Sequence, residues 1–305
     1  MAGASEVDAA RTPPLLSIVV PTRHRLEMLS ACLDTLWPKR QAVDANVYEV
    51  IVTDDGTTTS ARETVSKFPF ARWVEGPRRG PAANRNNGAA RASGTWLIFL
   101  DDDCIPEPTW LRGYMRAISD APDLSIFEGR TFADRPQRSL DETAPINEAG
   151  GALWSCNLAV RKALFETLGR FDERFPYATL EDVEFRLRIQ KAGAATRFVP
   201  EAAVCHPWRP VPQNWTPFRQ FSESFAVLLK IHPDYLEHYP PGWFLRGSLK
   251  ALLTVTGPRL LRDRTGFRSL LRRHLGELFM EFEVTKRHVM RTVRKLRPSA
   301  VSARG

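Results

Sequence analysis

The chain has 305 residues, of which 43% are hydrophobic, enough to pack one large α/β domain with an appendage or two small domains. No uninterrupted apolar run reaches the roughly 18 residues that a membrane-spanning helix requires, and the four cysteines (Cys32, Cys104, Cys156, Cys205) are scattered without CxxC spacing. The net charge of +8 is unevenly placed: residues 241–305 hold fifteen Lys/Arg against four Asp/Glu, which argues against a main domain that binds nucleic acid and for a tail that meets an anionic surface.

The opening "MAGASEVDAARTPP" reads as a disordered leader over residues 1–15. It has no apolar core of a signal peptide, so the expected setting is reducing and cytoplasmic. "LLSIVVPT" (15–22) is a β-branched run closed by proline, and "RLEMLSACLDTLW" (25–37) spaces Leu26, Leu29, Leu33 and Leu36 as a helix does. "YEVIVTDDG" (48–56) predicts a second strand, "ARETVSKF" (61–68) a short helix, "ARWVEG" (71–76) a third strand and "AANRNNGAARAS" (82–93) another helix before the strand "TWLIFL" (95–100). Strands apolar on both faces, alternating with helices, predict an α/β fold with a mostly parallel sheet covered on both sides. Further strands are expected within 124–132, 151–162 and 195–208, with a helix over 179–193 capped by Thr179 and stopped by Gly193. The Pro-rich "HPWRPVPQNWTP" (206–217) reads as a hinge into a helical tail.

In open parallel sheets the ligand crevice lies beyond the carboxyl ends of the strands. Three strands here end in polar clusters, Pro21-Thr22-Arg23, Asp54-Asp55-Gly56 and Asp101-Asp102-Asp103, and these are expected to converge on one rim. In an extended segment Asp101 and Asp103 would point the same way and grip one ion; carboxylate oxygens suit Mg²⁺ or Mn²⁺. A solvated acidic turn before Pro106 is the alternative.

The ordered blocks "SIVVPTRHR", "YEVIVTDDGTTT", "ANRNNGAARASGTWLIFLDDDCIP", "GALWSCNLAVRKALFETLGRFDERF" and "LEDVEFRLRIQKAG" resemble the family 2 glycosyltransferases of the GT-A fold over roughly residues 16–207. The resemblance implies transfer of a sugar, with inversion, from a nucleotide-diphosphate donor to a hydroxyl acceptor, assisted by Mn²⁺ or Mg²⁺. It sets Pro21, Thr22 and Arg23 at the base and ribose, and Asp54 with Asp55 at the nucleobase, where a simple Asx turn is the competing reading. Arg85 falls to the diphosphate or base, as a guanidinium fork can. The resemblance also places Asp101 and Asp102 by the donor ribose or sugar, Asp103 and Asp101 on the metal, His206 as a third metal ligand, and Asp182, with Glu181 beside it, as the base. Helix capping from Thr179 competes for Asp182. Asn157 and Trp154 lie in the stretch that faces the acceptor, and core packing is the alternative for the tryptophan.

The expected organisation is a leader (1–15), a GT-A domain (16–210, nucleotide half 16–103 and acceptor half 104–210) and a basic helical region (211–305). No QxxRW motif and no multi-span region are present, which favours single additions over polymer extrusion. The acceptor implied is a glycan or a lipid-linked hydroxyl of the cell envelope, with a UDP-sugar as donor. "RSLLRRHLGELFMEFEVTKRHVMRTVRKLRP" (268–298) puts Leu271, Leu275, Leu278, Phe282 and Val289 on one helical face and basic residues on another; such a helix either lies peripherally on an anionic membrane or packs on the domain or in a homo-oligomer. A nucleotidyltransferase and a non-catalytic nucleotide-sugar or glycan-binding module are the rival readings. The first wants a glycine-rich phosphate loop that "PTRHR" is not.

Overall fold

The computed structural model describes residues 15–139, 141–212, 214–258 and 267–296, with side chains through Val293. The expected leader therefore lies outside the described residues apart from Leu15. In chain order the elements are β1 (Leu16–Thr22), α1 (Leu26–Thr35), α2 (Pro38–Gln41), β2 (Tyr48–Asp54), α3 (Arg62–Ser66), β3 (Ala71–Glu75), α4 (Pro81–Ala89), β4 (Trp96–Leu100), β5 (Ile105–Pro106), α5 (Trp110–Asp120), β6 (Ile126–Phe132), β7 (Glu142–Thr143), β8 (Asn157–Arg161), α6 (Lys162–Thr167), α7 (Glu181–Lys191), β9 (Arg197–Cys205), β10 (Arg209–Pro210), α8 (Thr216–Ile231), a 3₁₀ turn (Pro233–His238), α9 (Trp243–Ala251), a π turn (Leu252–Thr256) and α10 (Phe267–Leu296).

Eight strands form one sheet in the order β3-β2-β1-β4-β8-β6-β9-β5. The first four run parallel, β8 is antiparallel to β4 and β6, and β9 returns parallel to β6. This is the α/β, mostly parallel sheet flanked by helices that the strand–helix alternation predicts. Because side chains alternate across a strand, Ile18, Val20, Ile98 and Leu100 enter a core beneath α1, α3 and α5, whereas Val19, Leu97 and Phe99 enter the core on the other face with Phe165, Phe171 and Phe185. Helix α5, absent from the sequence reading, covers the first core with Trp110, Leu111, Tyr114 and Ala117.

Helix α4 lies unusually close to the sheet. A Cβ at Gly88 would stand 2.5 Å from Val19 Cγ1, a contact that no larger residue could make without displacing the helix. Helix α7 begins at Glu181, after Leu180 in the left-handed region (φ 70°), and no side chain caps it. The expected cap from Thr179 is thus not formed, and capping no longer competes for Asp182. Gly193, also left-handed (φ 64°), follows the helix end as expected.

The chain divides into two compact units. The first holds the eight-stranded sheet and comprises the residues up to Asp134 with Pro145–Pro207; the second comprises Arg135–Ala144 and the residues from Trp208 onward. Within the second unit β7 and β10 pair antiparallel, Glu281 accepts backbone N–H bonds from Gly242 and Phe244, and Ser248 is bonded to His274 Nδ1 at 2.5 Å. These contacts dock α9 on α10. They also turn Leu270, Met280 and Val284 inward, each buried, and leave Leu271, Leu275, Leu278, Phe282 and Val289 between 44% and 65% exposed. Among the described side chains of α10, the apolar face expected from the sequence therefore points outward. Arg273 pairs with Glu277, and Arg291 with Asp234 and Glu237.

Asn157, set by the resemblance beside the acceptor, is instead a buried knot. Its amide accepts from Trp110 Nε1 and Tyr114 Oη (both 2.8 Å) and donates to the Arg130 and Ala202 carbonyls (3.0 and 2.9 Å), tying β8 to α5, β6 and β9. Truncation removes four hydrogen bonds, although the Tyr114 hydroxyl keeps the Asn157 carbonyl (3.0 Å), so Asn157→Ala is expected to lower unfolding stability by about 2–4 kcal/mol in urea titration. A change within error would mean that the knot carries no load.

Candidate active site

The rim beyond the carboxyl ends of β1, β2 and β4 holds the polar clusters. Thr22 pairs in register with Asp54, and the Thr22 hydroxyl donates to Asp102 Oδ2 at 2.7 Å. Arg25, which the sequence reading passed over as a site residue, spans two carboxylates, with Nη1 2.8 Å from Asp103 Oδ2 and Nη2 3.2 Å from Asp102 Oδ1. The signal available for it was its place in "PTRHR", two residues beyond the exposed Arg23.

Arg85 enters from α4 and is buried. Its guanidinium reaches Asp101 Oδ1 at 2.8 Å and Glu181 Oε1 at 3.1 Å, so the end of β4 and the start of α7 are joined through one cation. Asp101 and Asp103 do not share a site in the manner expected. The alternation rule assumes extended backbone, but Asp102 and Asp103 form a turn closed by the Cys104 N–H on the Asp101 carbonyl (3.1 Å). Asp101 goes to Arg85, while Asp102 and Asp103 go to Arg25.

Asp103 meets His206 instead, with Oδ1 3.4 Å from Nε2. His206 Nδ1 lies 3.1 Å from the Pro207 carbonyl; a proton on Nδ1 donated there leaves the Nε2 lone pair facing Asp103. Asp103, Cys104 and His206 each present a ligand atom within 4.8 Å of the others. A hydrogen bond with the neighbouring Cys156, together with burial, pushes the Cys104 thiol up, so it stays protonated and is a poor ligand. One hard carboxylate and one imidazole remain, a donor pair that fits Mn²⁺ and accommodates Mg²⁺.

Asp182 is only partly exposed, and its buried Oδ1 has no hydrogen-bond partner among the described residues. Burial raises its pKa; Arg85 and the facing Ser155 hydroxyl and amide offset part of that rise, and Asp101 adds to it. Glu181 is pushed up to about 8, first by burial and then by the Asp182 charge, against the pull of Arg85. Asp101 moves the opposite way. Burial opposes its ionisation, but the charge and hydrogen bond of Arg85, with Arg25 and His206, hold it below the usual carboxylate range. Ser155 sits just past a loop pinned from beneath by buried Glu128, which accepts from Asn147 Nδ2 (2.7 Å), Gly151 N (2.5 Å) and Leu153 N.

Asp54 is engaged on both oxygens, by Gly56 N (2.8 Å), Ala61 N (2.7 Å) and Trp73 Nε1 (3.1 Å), which orders the loop after β2. Asp55 accepts from Arg78 N at 2.8 Å, and burial raises its pKa. Pro21 is buried at the end of β1. The structure thus sets two bonded groups on one rim, Thr22, Asp102, Asp103 and His206 with Arg25, and Asp101 and Glu181 with Arg85; Asp182 lies beside the second, and Arg23 is exposed outside both.

A two-faced α/β sheet with these clusters at its carboxyl rim has the build of a GT-A glycosyltransferase domain. Residues 17–149 match the model of glycosyl transferase family 2, which supports a family 2 glycosyltransferase. Its relatives are named as glycosyltransferases. It is 28% identical to the glycosyltransferase AglE of Haloferax volcanii, over 65% of this chain and 69% of that one, and 28% identical to the pre-mycofactocin glycosyltransferase of Mycobacterium tuberculosis, over 72% and 48%. The chain spans about a third of the Escherichia coli chondroitin synthase, at 28% identity over 66% of this chain and 36% of that one. It shares its fold with a fragment of Staphylococcus aureus TarS in complex with UDP-GlcNAc, at TM-score 0.52 and 21% identity, over 64% of this chain and 58% of that one.

The raised Glu181 gives a pH signature. Its carboxyl keeps a proton in the folded state that the unfolded chain has lost, so stability falls as pH rises from the ordinary glutamate range towards about 8. Glu181→Gln mimics the protonated form. Its melting temperature is expected to match that of the parent at pH 5 and to exceed it at pH 8.5; parallel curves at all pH values would place the titration elsewhere.

Proposed function

We propose that this glycosyltransferase moves one sugar, with inversion, from a nucleoside diphosphate donor of the UDP-sugar type to an acceptor hydroxyl on a glycan or lipid-linked molecule, using Mn²⁺ or Mg²⁺. The observation that carries this reading is the convergence on one rim of two bonded groups, Asp102 and Asp103 with Arg25 and His206, and Asp101 and Glu181 with Arg85, with Asp182 beside the second. The UDP-GlcNAc complex of the fold neighbour supports UDP as the nucleotide. In this reading Pro21, Thr22, Arg23, Asp54 and Asp55 border the nucleoside, Asp101 and Asp102 the ribose and sugar, and Arg85 the diphosphate end. Asp103 and His206 would hold the ion, with Asp101 turned to Arg85. When bound, the ion supplies Lewis-acid stabilisation to the departing diphosphate.

Charge supports the metal. Five carboxylates (Asp101, Asp102, Asp103, Glu181, Asp182) face two arginines, Arg25 and Arg85, and a diphosphate adds further negative charge. Protonation of Glu181 relieves one unit. Asp182 then acts as the base: the acceptor oxygen attacks the anomeric carbon, the bond from that carbon to the diphosphate oxygen breaks, and the acceptor proton passes to the Asp182 carboxylate. A carboxylate raised above the normal aspartate range is a stronger base for this step, and Ser155 keeps part of its charged form.

Thermal shift separates the roles. UDP with Mn²⁺ is expected to raise the melting temperature more than UDP or GDP alone, and Asp103→Ala should erase the metal-dependent part; an unchanged shift would remove Asp103 from the ion. Asp182→Asn should keep the UDP shift and lose transfer by about 10²–10⁴-fold in a donor-turnover assay, whereas retained transfer would mean another base.

A further inference from the structure

Helix α10 is amphipathic in an inverted sense. Phe267, Leu271, Leu278, Phe282 and Val289 follow one another at steps of four and seven, so at 3.6 residues per turn they fall within an arc of about 60°. All five are exposed, and Leu275 and Val293 widen the stripe. The face that packs on α9, with buried Leu270, Met280 and Val284, lies opposite. Arg268, Arg272 and Lys286 border the stripe along one edge, while Glu277 and Glu281 are turned inward, onto Arg273 and onto the amides that begin α9. At Leu275 and Phe279 the stripe opens into an apolar cleft of about 400 Å³ against Trp215 and Phe218 of α8. Single exposed apolar residues are ordinary on a soluble surface, but a continuous stripe along a 30-residue helix is not.

We propose that the outward face of α10 docks this protein on an anionic lipid bilayer, with the leucines and phenylalanines at the acyl boundary and the exposed Arg268 and Lys286 at the headgroups. Charge selects this occupant over a second copy of the chain. Residues 241–305 hold fifteen basic against four acidic residues, so face-to-face pairing would set like charge against like charge. An anionic bilayer instead complements both the apolar stripe and its basic border. No described helix is long and apolar enough to cross the membrane, which is in keeping with a helix lying in the interface. The proposal does not rest on the donor chemistry above.

Flotation of the full chain with vesicles tests it, using phosphatidylglycerol mixed into phosphatidylcholine against phosphatidylcholine alone. Binding is expected only to the mixed vesicles and to weaken as NaCl is raised. Leu278→Glu with Phe282→Glu lies on the exposed face, so folding should be retained by circular dichroism, and vesicle binding should fall about tenfold or more. Arg268→Gln with Lys286→Gln should also weaken it. Equal partitioning of the parent and the Glu variant would overturn the proposal. So would loss of binding in the charge variant alone, since that describes a charged patch and not an inserted face. A concentration-dependent dimer in analytical ultracentrifugation, abolished by the Glu variant, would give the face to a second copy.

Discussion

The first unit is organised around one buried cation. A guanidinium withdrawn from water costs several kcal/mol unless carboxylates replace the lost hydration, so Arg85 can lie under the rim only if Asp101 and Glu181 come to it. That requirement joins three elements distant in sequence: α4, the end of β4 and the start of α7. Gly88 makes it geometrically feasible, because the helix can approach Val19 closely enough to carry Arg85 inside. The left-handed Leu180 then turns the chain so that Glu181 and Asp182 both open α7 beside the same charge.

Placing several acids around one cation divides their work. Asp101 takes the closest bond to Arg85 and is held ionised, whereas Glu181, more deeply buried and facing Asp182, retains its proton to about pH 8. Two carboxyl groups on one arginine therefore differ in charge near neutrality. This is how a single environment can keep both a fixed anion and a neutral acid. Asp182, partly exposed and without an ion pair to that arginine among the described residues, has one buried oxygen uncommitted among them. The chemistry proposed for the site uses this asymmetry more than any individual residue.

Much of the first unit was legible because its signals are local. Strands buried on both faces read as β-branched runs, and α1, β2, β3 and α4 fall within a residue or a few of the expected spans. Helix α5 was legible by the same rule, since Trp110, Leu111, Tyr114, Ala117 and Ile118 recur at helical spacing with Arg112 and Arg116 on the other face, yet it was passed over. The polar clusters at the strand ends were equally readable, but their partners were not. Alternation paired Asp101 with Asp103 only on the premise of extended backbone, and a turn at Asp102-Asp103 sent them to different arginines. Arg25 and Ser155 act through tertiary position, which no spacing rule encodes. Asn157 shows the converse, since a residue placed by family pattern at the acceptor spends its whole amide on the core.

In the second unit the period of α10 was visible in the sequence, but the side on which it packs was not. Periodicity states that apolar residues share a face; it does not state that this face is inward. The deciding contacts are two polar ones, Glu281 on the amides that open α9 and His274 on Ser248, and one steric one, Gly276, where a Cβ would meet Phe218 at 1.9 Å. These fix the rotation of the helix, and the larger apolar stripe is then left outside. A stripe kept exposed by a designed-in polar seam, and bordered by arginine and lysine, is complementary to a charged apolar boundary. An acceptor carried on a lipid is confined to that same boundary, so docking there would replace a search through solution by one along a surface.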